Sequence, residues 1–162
     1  MCLLKSRLLI IWEGLEMIVR RCAGGVVFYA NKVLLLKNDR GEWTLPKGKI
    51  NGGGLPYESA VERVKHETGI AAFMVDVAGD TMYEFFSRSR QQEVCNAVMW
   101  YVMEAEDTKC VLAPEFSEGG FYKLKDALEM ITHHKEKALV EISYKKYKDL
   151  KRLVSEKENI AY

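Results

Sequence analysis

The amino-acid sequence predicts an α+β sandwich of one domain, with helices enclosing a mixed β-sheet. Three observations carry this. Short β-rich runs and amphipathic helical segments are interspersed along the chain. The 162 residues, 48% of them apolar, suffice for one core, because chains of this size bury roughly two thirds of their unfolded surface. No repeat, linker or low-complexity tract divides them.

The elements follow in order. Cys22 to Tyr29 is β-rich, interrupted by Gly24-Gly25. Asn31-Lys32 reads as a tight turn and Val33 to Leu36 as the returning strand of a hairpin. Asn38-Asp39-Arg40-Gly41 is turn chemistry. Trp43 to Pro46 is extended, since Pro46 biases Leu45 away from helix. A glycine-rich loop spans Gly48 to Gly54. Pro56 then suits the first position of a helix, which ends at Thr68 because Gly69 fits a left-handed cap. Ala72–Phe86 and Glu93–Glu104 read as long strands joined by a polar turn, and Phe121-Tyr122 as a short strand. Lys125 to Ile131 is helical. A longer helix runs from Lys135 to Glu156, where Val140, Tyr144, Tyr147, Leu150 and Val154 form one apolar docking stripe.

Several classes of function fall away. A net charge of +1 gives no global attraction to nucleic acid or to acidic membrane. The apolar run Leu8 to Trp12 is far shorter than the ~20 residues of a membrane span. Glu13 and Glu16 follow it without a small-residue cleavage site, which argues against a signal peptide. Cys2, Cys22, Cys95 and Cys110 show no Cys-x-x-Cys spacing, so reduced thiols in a cytoplasmic protein are expected. Residues 1–16 read as an N-terminal extension, 17–132 as the domain and 133–162 as a C-terminal helix packed on it.

The helix after the glycine-rich loop carries the most information. At ~100° per residue, Tyr57, Ala60, Val61, Val64 and Thr68 share one face. Glu58, Glu62, Arg63, Lys65, His66 and Glu67 take the other, and periodicity alone makes that a solvated face. Its surroundings add to this. Gly48 to Ile70 resembles the Nudix box, G-x5-E-x7-R-E-U-x-E-E-x-G-U with U bulky and aliphatic. Gly48 and Gly69 fall on the two glycines, Val64 and Ile70 on the aliphatic positions, and Glu67 on the last glutamate. Ala23 to Val27, Leu34 to Leu36 and Trp43 to Gly48 resemble the family's earlier segments, and Pro114 to Leu128 its closing one. The resemblance implies a Nudix α/β/α sandwich. It also implies cleavage of a pyrophosphate bond in a nucleoside diphosphate derivative, with the flavour of dinucleoside polyphosphate hydrolases. In that chemistry, Mg²⁺ or Mn²⁺ held by clustered glutamates neutralises phosphate charge and activates water.

The box departs from its pattern. Gly54 stands for the first glutamate, Glu62-Arg63 reverses Arg-Glu, and His66 replaces one of the paired glutamates. The five charged positions sum to −3 in the pattern and to −1 here with His66 neutral. A guanidinium at ~6 Å from a divalent ion opposes it by roughly 5 kcal/mol at an effective dielectric near ~20. Arg63 and Glu67, four residues apart, are placed to pair on the helix. Glu67 is the expected surviving catalytic and metal-binding residue. Glu58, Glu62 and His66 form an adjacent stripe, and with Glu115 or Glu118 they could rebuild a displaced metal site, His66 favouring a softer ion. Arg40, Lys47 and Lys49 around Gly48 are the candidate phosphate contacts. Trp43 and Tyr83 are candidates to stack on a base, Trp43 equally a packing residue. His133-His134 suits a helix end, and the basic cluster from Lys145 to Arg152 a solvated face. Two readings follow, both with a nucleotide-type partner: a divergent pyrophosphohydrolase, or a nucleotide-binding module that does not cleave.

Overall fold

The computed structural model describes residues 8–12 and 15–161. Strands β1 (Leu8–Trp12), β2 (Leu15–Tyr29), β3 (Lys32–Lys37), β4 (Trp43–Thr44) and β5 (Lys47–Lys49) precede helix α1 (Pro56–Thr68). Strands β6 (Ala72–Ser87), β7 (Gln92–Ala105) and β8 (Glu118–Lys123) follow, then helices α2 (Leu124–Met130) and α3 (His134–Ile160). The sheet runs β4-β3-β2-β7-β6, with β1 and β5 also on β2 and β8 on β3. Among the described residues only β2 and β7 pair in parallel, which makes the sheet mixed.

Alternation along the strands sorts the core into two layers. Cys22, Val26, Phe28, Val33, Leu35, Trp100 and Val102 face α2 and α3, where they meet Ala127, Leu139, Val140 and Tyr147. Ala23, Val27, Leu34, Tyr101 and Met103 face α1 and meet Ala60 and Val64. The Phe28 ring stacks on Tyr147 with centroids 5.0 Å apart. The stripe on α3 is therefore a docking face, but only part of it docks. Val140 is buried while Val154 is 54% exposed, because the helix runs on past the sheet. Strand β6 is the sheet edge opposite β4, and α3 blunts it. Lys135 Nζ donates to the Met82 carbonyl at 2.6 Å and Lys146 Nζ to that of Val77 at 2.9 Å.

The local event that builds the site is a parting of β2 from β3. They pair only through Phe28–Val33 and Tyr29–Lys32. The chain from Trp43 to Lys49 fills the gap. β4 continues along β3, and β5 pairs with Cys22–Gly24 of β2. The Gly25 N–H donates to the Pro46 carbonyl at 3.1 Å. Gly24 leaves room for this crossing, since a Cβ there would strike the Trp100 ring and the Pro46 carbonyl. Gly48 and Lys49, expected in a loop, thus form a strand because β2 offers them a partner. The expected two-residue strand at Phe121-Tyr122 likewise extends over Glu118–Lys123 by pairing with β3.

Helix α1 begins at Pro56 and ends where Gly69, at φ 72°, donates its N–H to the Lys65 carbonyl. Its expected faces need one correction. Tyr57 is 40% exposed, whereas Glu67 is only 6% exposed. The last turns of the helix lie against β5 and the loop before β8. That loop donates to the carbonyls of Glu67 and Thr68 from Ala113 and Val111. A residue on the charged face is covered there, while the first turn stands clear of the sheet.

Candidate functional site

The threading of β5 beside α1 puts Lys47, Gly48, Arg63 and Glu67 in one place. Two hollows open on either side. The larger, about 660 Å³, lies between the β3–β5 segment, the end of α1, the outer half of β6 and the start of α3. Its walls include Lys47, Glu67, Tyr83, Phe85, Phe116 and Glu136, with Arg40 among the residues at the β3–β4 turn. The smaller, about 470 Å³, lies over the glycine-rich loop and takes in Lys49, Glu58, Ser59, Glu62, Arg63 and His66.

In the larger cavity the Lys47 ammonium is 3.4 Å from Glu136 Oε1, which also accepts the Leu45 N–H at 3.4 Å. The same ammonium lies 4.7 Å from the centre of the Tyr83 ring and 5.8 Å from that of Trp100. Burial alone would lower the Lys47 pKa, but the Glu136 carboxylate and Tyr83 outweigh it and hold Lys47 above its ordinary value. Glu136 is 2% exposed, and its Oε2 has no partner among the described residues. At the start of α3, His133 Nε2 and Glu42 Oε2 are 2.7 Å apart. Arg20 Nε donates to Asn96 Oδ1 at 3.0 Å, and its guanidinium lies over the Phe85 ring.

Glu67 has the most altered chemistry. Burial raises its carboxyl from 4.5 to about 7, against the Arg63 guanidinium, which lowers it. The Glu115 charge adds to the rise, and the Lys47 backbone N–H and ammonium oppose it. Arg63 lies across Gly48 so closely that a Cβ at Gly48 would overlap Nε of the guanidinium. The pairing of Arg63 with Glu67 expected from their spacing is not formed as an ion pair. The guanidinium lies over Gly48 of β5 instead.

This arrangement can be tested against a divalent ion. Glu67 faces the larger cavity, whereas Glu62 and His66 are exposed around the smaller one, beside Lys49 and Arg63. Glu115 comes near enough for its charge to reach Glu67. Glu118 is turned to Lys37, with Oε2 3.4 Å from Nζ. Among the described residues no three His, Cys, Asp or Glu side chains gather as a metal-binding group. The displaced site expected from Glu62, His66, Glu115 and Glu118 is therefore not assembled. With the Arg63 guanidinium over Gly48 at the smaller hollow and no group of three donors among the described residues, the donor set does not fit a hard divalent cation.

The candidate phosphate contacts are likewise divided, Arg40 and Lys47 at the larger cavity and Lys49 at the smaller. Trp43 is a packing residue. Its ring meets that of Tyr122 edge-on with centroids 5.3 Å apart, and its backbone N–H donates to Thr132 Oγ1 at 2.9 Å. Of the two stacking candidates, Tyr83 is the one that lines the cavity, with Phe85 and Phe116. Glu136 was missed in the sequence, although a signal existed. It lies four residues before Val140 on the buried stripe of α3, and a carboxylate at an apolar-face position asks for a buried partner.

Comparison with known proteins places these features in context. The NUDIX domain family model matches residues 19–142. A NUDIX hydrolase from Nitrosomonas europaea superposes with a TM-score of 0.61 at 18% identity, over 83% of this chain and 82% of that one. A C. elegans Ap4A hydrolase gives 0.60 at 18% identity, over 79% and 96%. A MutT protein from Methanosarcina mazei gives 0.62 at 22% identity, over 80% and 96%. At these identities the structural likeness shows the fold.

Proposed function

This chain belongs to the NUDIX domain family, and we propose that it uses the fold to hold a nucleotide-type phosphate ligand in the larger cavity without a resident divalent ion and without cleaving it. The observation that carries this reading is the Arg63 guanidinium laid over Gly48, one helical turn from Glu67. The guanidinium lines the smaller hollow, where it offers positive charge to the part of a phosphate chain that reaches past β5 and opposes an inorganic cation. Lys47 and Arg40 are the phosphate contacts in the cavity, and Lys49 with the Gly48 backbone takes the part of the chain that crosses β5. Tyr83, Phe85 and Phe116 are the apolar walls for a base. The likeness to a C. elegans Ap4A hydrolase supports testing dinucleoside polyphosphates first. The cytoplasmic setting expected from the cysteine spacing is part of this reading. No helix among the described residues is long and apolar enough to cross a membrane.

One observation favours a second reading, residual pyrophosphate hydrolysis. Glu67 and Glu115 lie close enough to interact, and two carboxylates together can attract a cation. A panel of diadenosine polyphosphates, nucleoside triphosphates and sugar nucleotides separates the readings, each with EDTA or with Mg²⁺ or Mn²⁺. Thermal stabilisation that persists in EDTA without turnover is the expected result. Metal-dependent turnover abolished by Glu67→Gln would establish the hydrolase instead.

A further inference from the structure

We infer that Glu136 is a positioning residue: it fixes the Lys47 ammonium as the cation that a ligand phosphate meets in the larger cavity. The inference rests on the nucleotide-binding reading above.

Lys47 is an unusual phosphate contact, because its side chain is only 26% exposed and packs under Tyr83 and Trp100. A lone ammonium in that position would lose hydration, which favours its neutral form. Glu136, 89 residues away on α3, prevents this by placing Oε1 3.4 Å from Nζ. The carboxylate is itself held by the Leu45 N–H. The start of α3 is tied to β4 by a reciprocal pair, in which the Trp43 N–H donates to Thr132 Oγ1 and the Thr132 N–H to the Trp43 carbonyl. Glu136 thus stands at a fixed height over β5. The pairing leaves Lys47 competent, because an ammonium carries three N–H donors and Oε1 takes one. The Glu136 side chain is only 3% exposed. Both groups line the cavity, and the Lys47 side chain, at 26%, is the more accessible of the two. Tyr83 of β6, Cys22 of β2 and Glu67 of α1 also interact with Lys47, and Arg40, Glu42, Glu84, His133, His134 and Lys135 line the same cavity.

The test uses diadenosine tetraphosphate in EDTA, titrated calorimetrically from neutral pH to about pH 10, against wild type, Glu136→Gln, Lys47→Met and the double variant. Gln keeps an acceptor for Leu45 and removes the charge. Glu136→Gln is expected to weaken binding about tenfold at neutral pH and progressively more as pH rises and Lys47 discharges. Lys47→Met should be weak at every pH, and the double variant no weaker than Lys47→Met. Binding by Glu136→Gln equal to wild type would overturn the inference. So would an equal further loss when Glu136→Gln is added to Lys47→Met. A second readout needs no nucleotide. With lysines ¹³C-methylated and the Lys47 signal assigned by Lys47→Arg, that signal should titrate at lower pH in Glu136→Gln than in wild type. Identical titrations would overturn the inference even if wild type bound no nucleotide, an outcome that would count against the binding reading alone. If Glu136→Gln fails to fold, Glu136→Asp withdraws the carboxylate by one methylene. Values for Asp between wild type and Lys47→Met support the inference, and wild-type values contradict it.

Discussion

Arg63 and Gly48 behave as one unit, since the guanidinium occupies the space that a side chain at Gly48 would need. Gly48→Ala should therefore destabilise the protein by about 1–3 kcal/mol through overpacking. In an Arg63→Ala background the same change should have little effect, and denaturant midpoints for the four proteins check this. Glu67 makes a separate prediction. Its carboxyl is raised from 4.5 to about 7, so the folded state binds this proton more tightly than the unfolded chain does. The contribution favours folding most below the ordinary glutamate range and is lost as pH rises toward 7, on the order of 3 kcal/mol in total. Glu67→Gln should raise the melting temperature at pH above 7 and change it little in acid. Thermal melts across that window measure the difference. The sequence showed Arg63 and Glu67 as charges four residues apart. It did not show that one would lie on a glycine of a neighbouring strand while the other was buried, because both depend on where β5 pairs.

At the scale of elements, α1 was legible from its ends. Pro56 opens it and Gly69 closes it in the left-handed conformation. Gly69→Ala should cost about 1 kcal/mol for the positive φ alone. Crowding against Val111 at 3.2 Å should add to that, and chemical denaturation reads the sum. The hairpin, β6, β7 and the stripe of α3 were legible because their patterns are local. Strand β5 was not. A three-residue Lys-Gly-Lys segment has no periodicity, and only the parting of β2 from β3 makes it a strand. Glu136 was hidden for the same reason, since its partner Lys47 comes from a distant element. The helix also allows a test by reversal. Gly54→Glu, Glu62→Arg, Arg63→Glu and His66→Glu together restore the acidic box. A folded quadruple variant should gain Mg²⁺-dependent thermal stabilisation and nucleotide hydrolysis relative to wild type. No gain would show that charge on this helix is not what limits activity.

Over the whole molecule, the mixed sheet between α1 and the α2–α3 layer is the family's fold, and the family model spans residues 19–142. The fold was readable because its punctuation lies in glycines and prolines whose backbone roles are local. The chemistry was less so. A fold fixes where a phosphate chain can lie, but the charges standing there decide what happens to it. Here a guanidinium over Gly48, a buried carboxyl titrating near 7 and a lysine held by Glu136 stand at the crossing of β5 and α1. They set two organic cations beside two buried carboxylates where the family's pattern has a carboxylate cluster. Anomalous scattering from crystals soaked with Mn²⁺ and a dinucleoside polyphosphate tests this most directly. The expected map shows the nucleotide in the larger cavity and no manganese peak at Glu67 or Glu115. A well-occupied peak bonded to either carboxylate, with Arg63 swung away from Gly48, would contradict it.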